Sequence, residues 1–167
     1  MASTIRGSDN FDSGQTLTLM VSQPTTSGTY IDFTGIPSWA KRVTVMFNGV
    51  STSGTAQLMV QIGSGSISTS GYTSSATDNG GITNFSGNAF GVLKAGNAGW
   101  IFSGHCTITA VGGNAYVQSG VLASNGTQTA STSGGIVALS GVMDRIRITT
   151  TNGTDTFDAG SVNVLYE

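Results

Sequence analysis

Charge is what this sequence lacks most. Asp, Glu, Lys and Arg make up 8% of its 167 residues, against about 25% in a typical globular domain. Glutamate appears once, as Glu167, and lysine twice, as Lys41 and Lys94. These are the residues that solvent-facing helices depend on, so their scarcity argues against a helical surface. The net charge is −2. No cluster of Lys and Arg could neutralise a run of phosphates, so nucleic-acid binding is not expected. No apolar run approaches the roughly 20 residues of a membrane helix. The opening MASTIRGSDNFDSG has no basic segment followed by an apolar core, so no signal peptide is expected. Cys106 is the single cysteine, which excludes an intrachain disulfide and suggests folding in a reducing cytosol. His105, the single histidine, adjoins it. Neighbours in a strand point to opposite faces, so the two do not form a nucleophile–base pair.

Threonine, serine, glycine and asparagine fill the chain instead, a composition that suits strands and tight turns. The stretch Thr29–Val50 (TYIDFTGIPSWAKRVTVMFNGV) holds two strand patterns around a proline turn. Tyr30, Ile31 and Phe33 form the first. From Lys41 to Val50, Val43, Val45 and Phe47 alternate with Arg42, Thr44, Met46 and Asn48, the period of a half-buried strand. Leu17, Leu19 and Val21 alternate before it. After it, Ala56–Ile62 places Leu58, Val60 and Ile62 inward and Gln57, Met59 and Gln61 outward. Gly63–Ala89 reads as one short strand near Ser66–Thr73 followed by a long loop, and Phe90–Leu93 as a short strand. Gly99–Val111 and Ala115–Ala123 read as a hairpin turning at Gly112, Gly113 and Asn114. Ser124–Gly135 reads as a second polar loop. Short strands follow at Ile136–Leu139, at Met143–Thr151 and at Ser161–Glu167. The expectation is an all-β fold, a jelly-roll-like β-sandwich with about ten short strands. Residues 1–15 read as an N-terminal docking arm and 16–167 as a single β-sandwich domain.

DFTGIPSWAKRVTVMFNGVSTSGT (Asp32–Thr55), VQIGSGS (Val60–Ser66), SGY (Ser70–Tyr72) and MDRIRITTTNGTDTFDAGSVNVLYE (Met143–Glu167) resemble a module of tailed-bacteriophage tail-fibre and related virion proteins. The resemblance implies a β-rich, trimeric domain exposed on the virion, made in the host cytoplasm, that mediates host attachment. A capsid decoration or head-fibre protein is the alternative within that class. A free carbohydrate-binding module is the alternative outside it. The charge-poor surface also points to a homotrimer, since monomers normally rely on more charge for solubility. The arm would contact other virion proteins.

Among candidate sites, Cys106 shares the apolar parity and reads as a core residue; His105 reads as a surface or interface donor. Asp155 and Asp158 in NGTDTFDAG could hold a cation, but the spacing matches no established calcium loop and turn chemistry accounts for them. No enzyme, cofactor or metal is expected. Arg145 and Arg147 share an outward face with room for Arg42. They suit pairing with Asp32, Asp144 or a neighbouring subunit, or recognition of an acidic sugar. Trp39 reads equally as a core plug or an interface anchor. Trp39, Arg42, Met46, Met59, Arg145 and Arg147 are the expected subunit-interface residues. The two long loops, Gly65–Ala89 and Ser124–Gly135, are the expected host-facing surface, with a host surface polysaccharide as candidate partner, Tyr72 as aromatic anchor and Asn79, Asn84 and Phe85 beside it.

Overall fold

The computed structural model describes residues 17–94, 96–126 and 129–167. The expected docking arm lies outside them. Among the described residues there are fourteen strands and no helix. In chain order these are β1 (Thr18–Leu19), β2 (Gln23–Pro24), β3 (Tyr30–Thr34), β4 (Arg42–Thr52) and β5 (Leu58–Ser64). They continue with β6 (Ser66–Ile67), β7 (Tyr72–Asp78), β8 (Gly81–Gly87), β9 (Phe90–Gly91) and β10 (Phe102–Gly112). The last are β11 (Ala115–Ser124), β12 (Thr129–Ala138), β13 (Arg145–Thr150) and β14 (Phe157–Tyr166). They form a β-sandwich of two antiparallel sheets. The larger runs β1-β14-β4-β10-β11-β12-β7-β8, with β2 also on β14. The smaller runs β3-β13-β5-β6, with β9 also on β5.

The core lies between the sheets. From the larger come Val43, Val45, Phe47, Phe102, Cys106, Ile108, Leu122 and Val164; from the smaller, Ile31, Phe33, Leu58, Val60, Ile62, Ile146 and Ile148. All are buried, and each large side chain among them contributes about 1.5–3 kcal/mol by leaving water. The alternation read in β4, β10 and β13 is the one observed, because each has one face on this core.

Both expected loops are largely strand. The first holds β6 and the β7–β8 hairpin, in register from Tyr72↔Gly87 to Asp78↔Gly81. The second holds most of β12, which pairs with β11 and with β7. Their inward positions mix small residues such as Ser74, Ala76 and Ser131 with Tyr72 and Phe85, so the period of two is faint in hydropathy. Ser74 shows how such a residue is accommodated: its hydroxyl donates to the Ala89 carbonyl at 3.1 Å and accepts from the Gly91 amide at 3.1 Å. The first alternation is also reversed. Met20 packs against the core, while Leu17, Leu19 and Val21 are exposed.

Strand β5 is buried on both faces. Its outward residue Met59 is enclosed with Ala76, Phe85 and Ala89 in a second apolar cluster, because the chain from β8 into β9 folds back over it. Met59 is therefore inside its own subunit, not at the expected subunit interface.

Two backbones come unusually close where β14 crosses β4. The register shifts between Ala159 and Ser161, and Gly160 takes φ +88° against Gly49. A side chain there would meet the Gly49 carbonyl as well as the backbone penalty, whereas Gly35, at φ +82°, faces open space. Gly35→Ala is expected to destabilise by about 1–2 kcal/mol, the penalty of positive φ alone. Gly160→Ala should destabilise by about 3 kcal/mol or more, strain and collision together. Denaturant melts of the two variants decide this; equal losses would show that the close approach is not enforced.

Candidate functional site

The smaller sheet presents its outer face through β3, β13 and β5. Tyr30 and Asp32 share one face of β3, opposite Ile31 and Phe33 in the core. Register sets Asp32 opposite Arg147, and Arg147 opposite Gln61 on the other side. The Arg147 Nε and Nη2 groups donate to the two Asp32 oxygens, both at 2.7 Å. This planar, two-point pairing is the strongest kind of carboxylate contact. The guanidinium also lies over the Tyr30 ring, 4.0 Å from its centroid. Asp32 keeps the Arg147 guanidinium firmly charged, raising its already high pKa through the hydrogen bond. Beside this trio is an open cleft of about 280 Å³, lined by Tyr30, Gln61, Asn88, Arg147, Thr149 and Asn152 among others. Gln61 Nε2 donates to the Asn88 carbonyl at 2.9 Å, and the Thr149 hydroxyl to the Thr29 carbonyl at 2.9 Å. More than half of Tyr30, 53%, stays exposed.

Comparison with family models, curated proteins and solved structures finds no match. The site must be read from its own chemistry.

The expected receptor-binding residues do not converge. Asn79 is exposed at the tip of the β7–β8 hairpin, and Asn84 is exposed on β8. Phe85 is buried in the second apolar cluster. Tyr72 is no surface anchor: it is 3% exposed and sets its ring edge-on to Phe90, centroids 5.0 Å apart. Its hydroxyl accepts from the Ile62 amide at 2.8 Å and faces the Ile62 and Ser68 carbonyls at 3.0 and 3.2 Å. Burial pushes its pKa up to about 12. An amphipathic tyrosine at an inward position was bound to find such partners.

The expected interface arginines separate too. Arg42 belongs to the larger sheet and pairs with Glu167, while Arg145 and Arg147 belong to the smaller. Arg145 pairs with Asp144, at 2.8 and 3.2 Å. That hydrogen bond, followed by the Gly65 amide, holds the Asp144 carboxyl below its usual range. Met46 is half-buried on the outer face of the larger sheet, opposite His105. Trp39 packs against the core edge and meets Tyr166 edge-on at 5.6 Å.

The reactive groups are individually occupied. Cys106 is fully buried, and burial pushes its thiol up to about 12, so it stays protonated. The thiol borders Gln118, whose Nε2 donates to Ser133 Oγ at 2.9 Å. His105 is exposed on the opposite face. Asp155 accepts from Asn152 Nδ2 at 2.7 Å and from the Ala56 amide at 2.9 Å, which lower its pKa in that order. This is turn chemistry. No group of three metal-ligating side chains converges among the described residues. Asp78 accepts from the Gly80 amide and then Lys94, and both lower its pKa.

The pairing of Arg147 with Asp32 and of Arg145 with Asp144, among the expected options, is observed; what the sequence reading missed is Tyr30 against the guanidinium and the cleft beside it. The available signal was parity: Tyr30 and Asp32 are two residues apart on the face that Ile31 and Phe33 do not use.

The buried hydroxyl yields a direct test. Tyr72→Phe keeps the ring and leaves the Ile62 amide without its acceptor, so a loss of about 1–3 kcal/mol is expected. Chemical denaturation measures it; unchanged stability would show that the hydroxyl does not hold β5.

Proposed function

We propose that this chain is a virion structural protein of a tailed bacteriophage, a tail-fibre or receptor-binding module that mediates host attachment. The observation that carries this reading is where the resembling segments fall. Asp32–Thr55 and Met143–Glu167 supply β3, β4, β13 and β14, and these pair with each other: β3 with β13, β4 with β14. The resemblance thus lies on one connected framework spanning both sheets, not on scattered turns. We read that framework as a jelly-roll-like sandwich. A non-catalytic role is supported by the state of the reactive groups: the thiol is buried, and Asp32, Asp78, Asp144 and Asp155 are each bound to a cation or to amides.

A homotrimer remains part of this reading, and the structure moves the candidate contact. Leu17, Leu19 and Val21 are 62%, 58% and 86% exposed. They flank an open apolar hollow of about 560 Å³ lined by Leu19, Met20, Val21, Phe33 and Tyr166 among others. Exposed apolar side chains around such a hollow are what a neighbouring copy covers.

Two measurements test these statements. Antibody against the purified chain is expected to label the tails of intact particles and to block adsorption. Label on the head would instead assign a decoration or head-fibre role, and unlabelled particles would overturn the virion reading. Sedimentation of the purified chain should give a trimer mass, and Leu19→Asp with Val21→Asp should shift it to monomer without unfolding it. A native monomer at micromolar concentration would overturn the trimer.

A further inference from the structure

We propose that the Tyr30–Arg147 cleft binds one neutral pyranose ring of a host-surface glycan. The proposal rests on the attachment reading and gives it a site and a ligand class. The cleft is built rather than incidental. Its floor comes from paired strands, and Arg147 is fixed by two hydrogen bonds and by stacking on Tyr30 before any ligand arrives. Among the described residues Nε and Nη2 of Arg147 are the groups engaged, so Nη1 keeps its donors on a residue that lines the cleft. Asn88 is exposed and its side chain makes no hydrogen bond among the described residues, while its carbonyl is pinned by Gln61. Its amide therefore offers a free donor and a free acceptor on a fixed backbone.

The charge balance selects the ligand. Arg147, the one charged residue lining the cleft, is already neutralised by Asp32 beside it. A carboxylate or phosphate ligand would have to compete with Asp32 for Arg147, and a cation would face the guanidinium. A sugar hydroxyl avoids both conflicts, because it donates and accepts at once. It can accept from Arg147 or Asn88 Nδ2 and donate to Asn88 Oδ1. The apolar C–H face of a pyranose suits the exposed part of the Tyr30 ring. The volume, about 280 Å³, lies just under the roughly 300 Å³ at which small-molecule sites begin. It accommodates one ring of a chain whose neighbours run over the open surface.

The test titrates the full chain with neutral hexose oligosaccharides and with uronate- or sialic-acid-containing ones, by calorimetry and on an immobilised panel. Neutral sugars are expected to bind with millimolar to micromolar affinity, and acidic ones no more tightly. Tyr30→Ala and Asn88→Ala should each weaken binding at least tenfold, and Tyr30→Phe less than threefold. Asn88 is exposed and unbonded through its side chain, so its variant folds even if Tyr30→Ala does not. No neutral-sugar binding at millimolar concentration, equal binding by both alanine variants, or a clear preference for acidic sugars would each overturn the site. Particle adsorption separates the two levels. If antibody against the chain blocks adsorption but both alanine variants adsorb normally, the site is wrong and the attachment reading stands. If purified chain binds through these residues but particles carry none of it, the site stands and the attachment reading falls.

Discussion

Strand β4 is held on one side by β14 and on the other by β10, and this three-strand register positions the rest of the molecule. Val45 is opposite Val164 on one side and Cys106 on the other, so their inward side chains form a continuous apolar row. The second sheet packs against that row through Ile31, Ile146 and Ile148. Because side chains alternate, fixing the inward row also fixes which residues face out. A slip of one residue in β3 against β13 would send Asp32 and Tyr30 into the core and Phe33 into water. The polar cleft thus depends on apolar packing on the far side of the same strands.

The segments that were legible in the sequence are those where the buried positions are large and apolar. Val43, Val45 and Phe47, or Ile146 and Ile148, announce their face by hydropathy alone. Strands β7 and β12 were hidden because their inward positions include Ser74, Ser131 and Gly135, which sequence patterning assigns to turns. The Ser74 hydroxyl satisfies and is satisfied by the backbone, so its burial is stable without being hydrophobic. Tyr72 was misplaced because the short strand read near Ser66–Thr73 ends where β7 begins, so the parity of β7 could not be used. Met59 was assigned the correct strand face but not its cover, since nothing local predicts that Phe85 and Ala89 fold back over β5. The trio in the cleft combines residues from β3 and β13, more than a hundred positions apart, and only strand pairing brings them together.

The low charge takes on a different meaning in the structure. The acid–base pairs among the described residues are few: Lys94–Asp78 and Arg145–Asp144 are near in sequence, while Arg42–Glu167 and Arg147–Asp32 join distant segments. They are partly exposed, so each adds little to stability. What they do is fix orientation, holding the last residue to β4, the hairpin tip to residue 94 and the guanidinium flat over Tyr30. A surface of hydroxyls and amides between them has little long-range field. It meets ligands by short-range hydrogen bonding, with weak dependence on salt.

The pairing of β4 with β14 also dictates the order in which the molecule can form. Val45 and Val164 are adjacent in the sheet, yet the ribosome makes nearly the entire domain between them. Until β14 emerges, β4 has an open edge and an uncovered apolar face, while the local β10–β11–β12 meander can already be assembled. Sheet closure is then a late, long-range event, which places this chain among slow folders whose half-made forms are prone to strand-edge association. Rapid synthesis at high copy number would aggravate that hazard, so cool expression or a holding chaperone should raise the yield of native chain more than any change to the core.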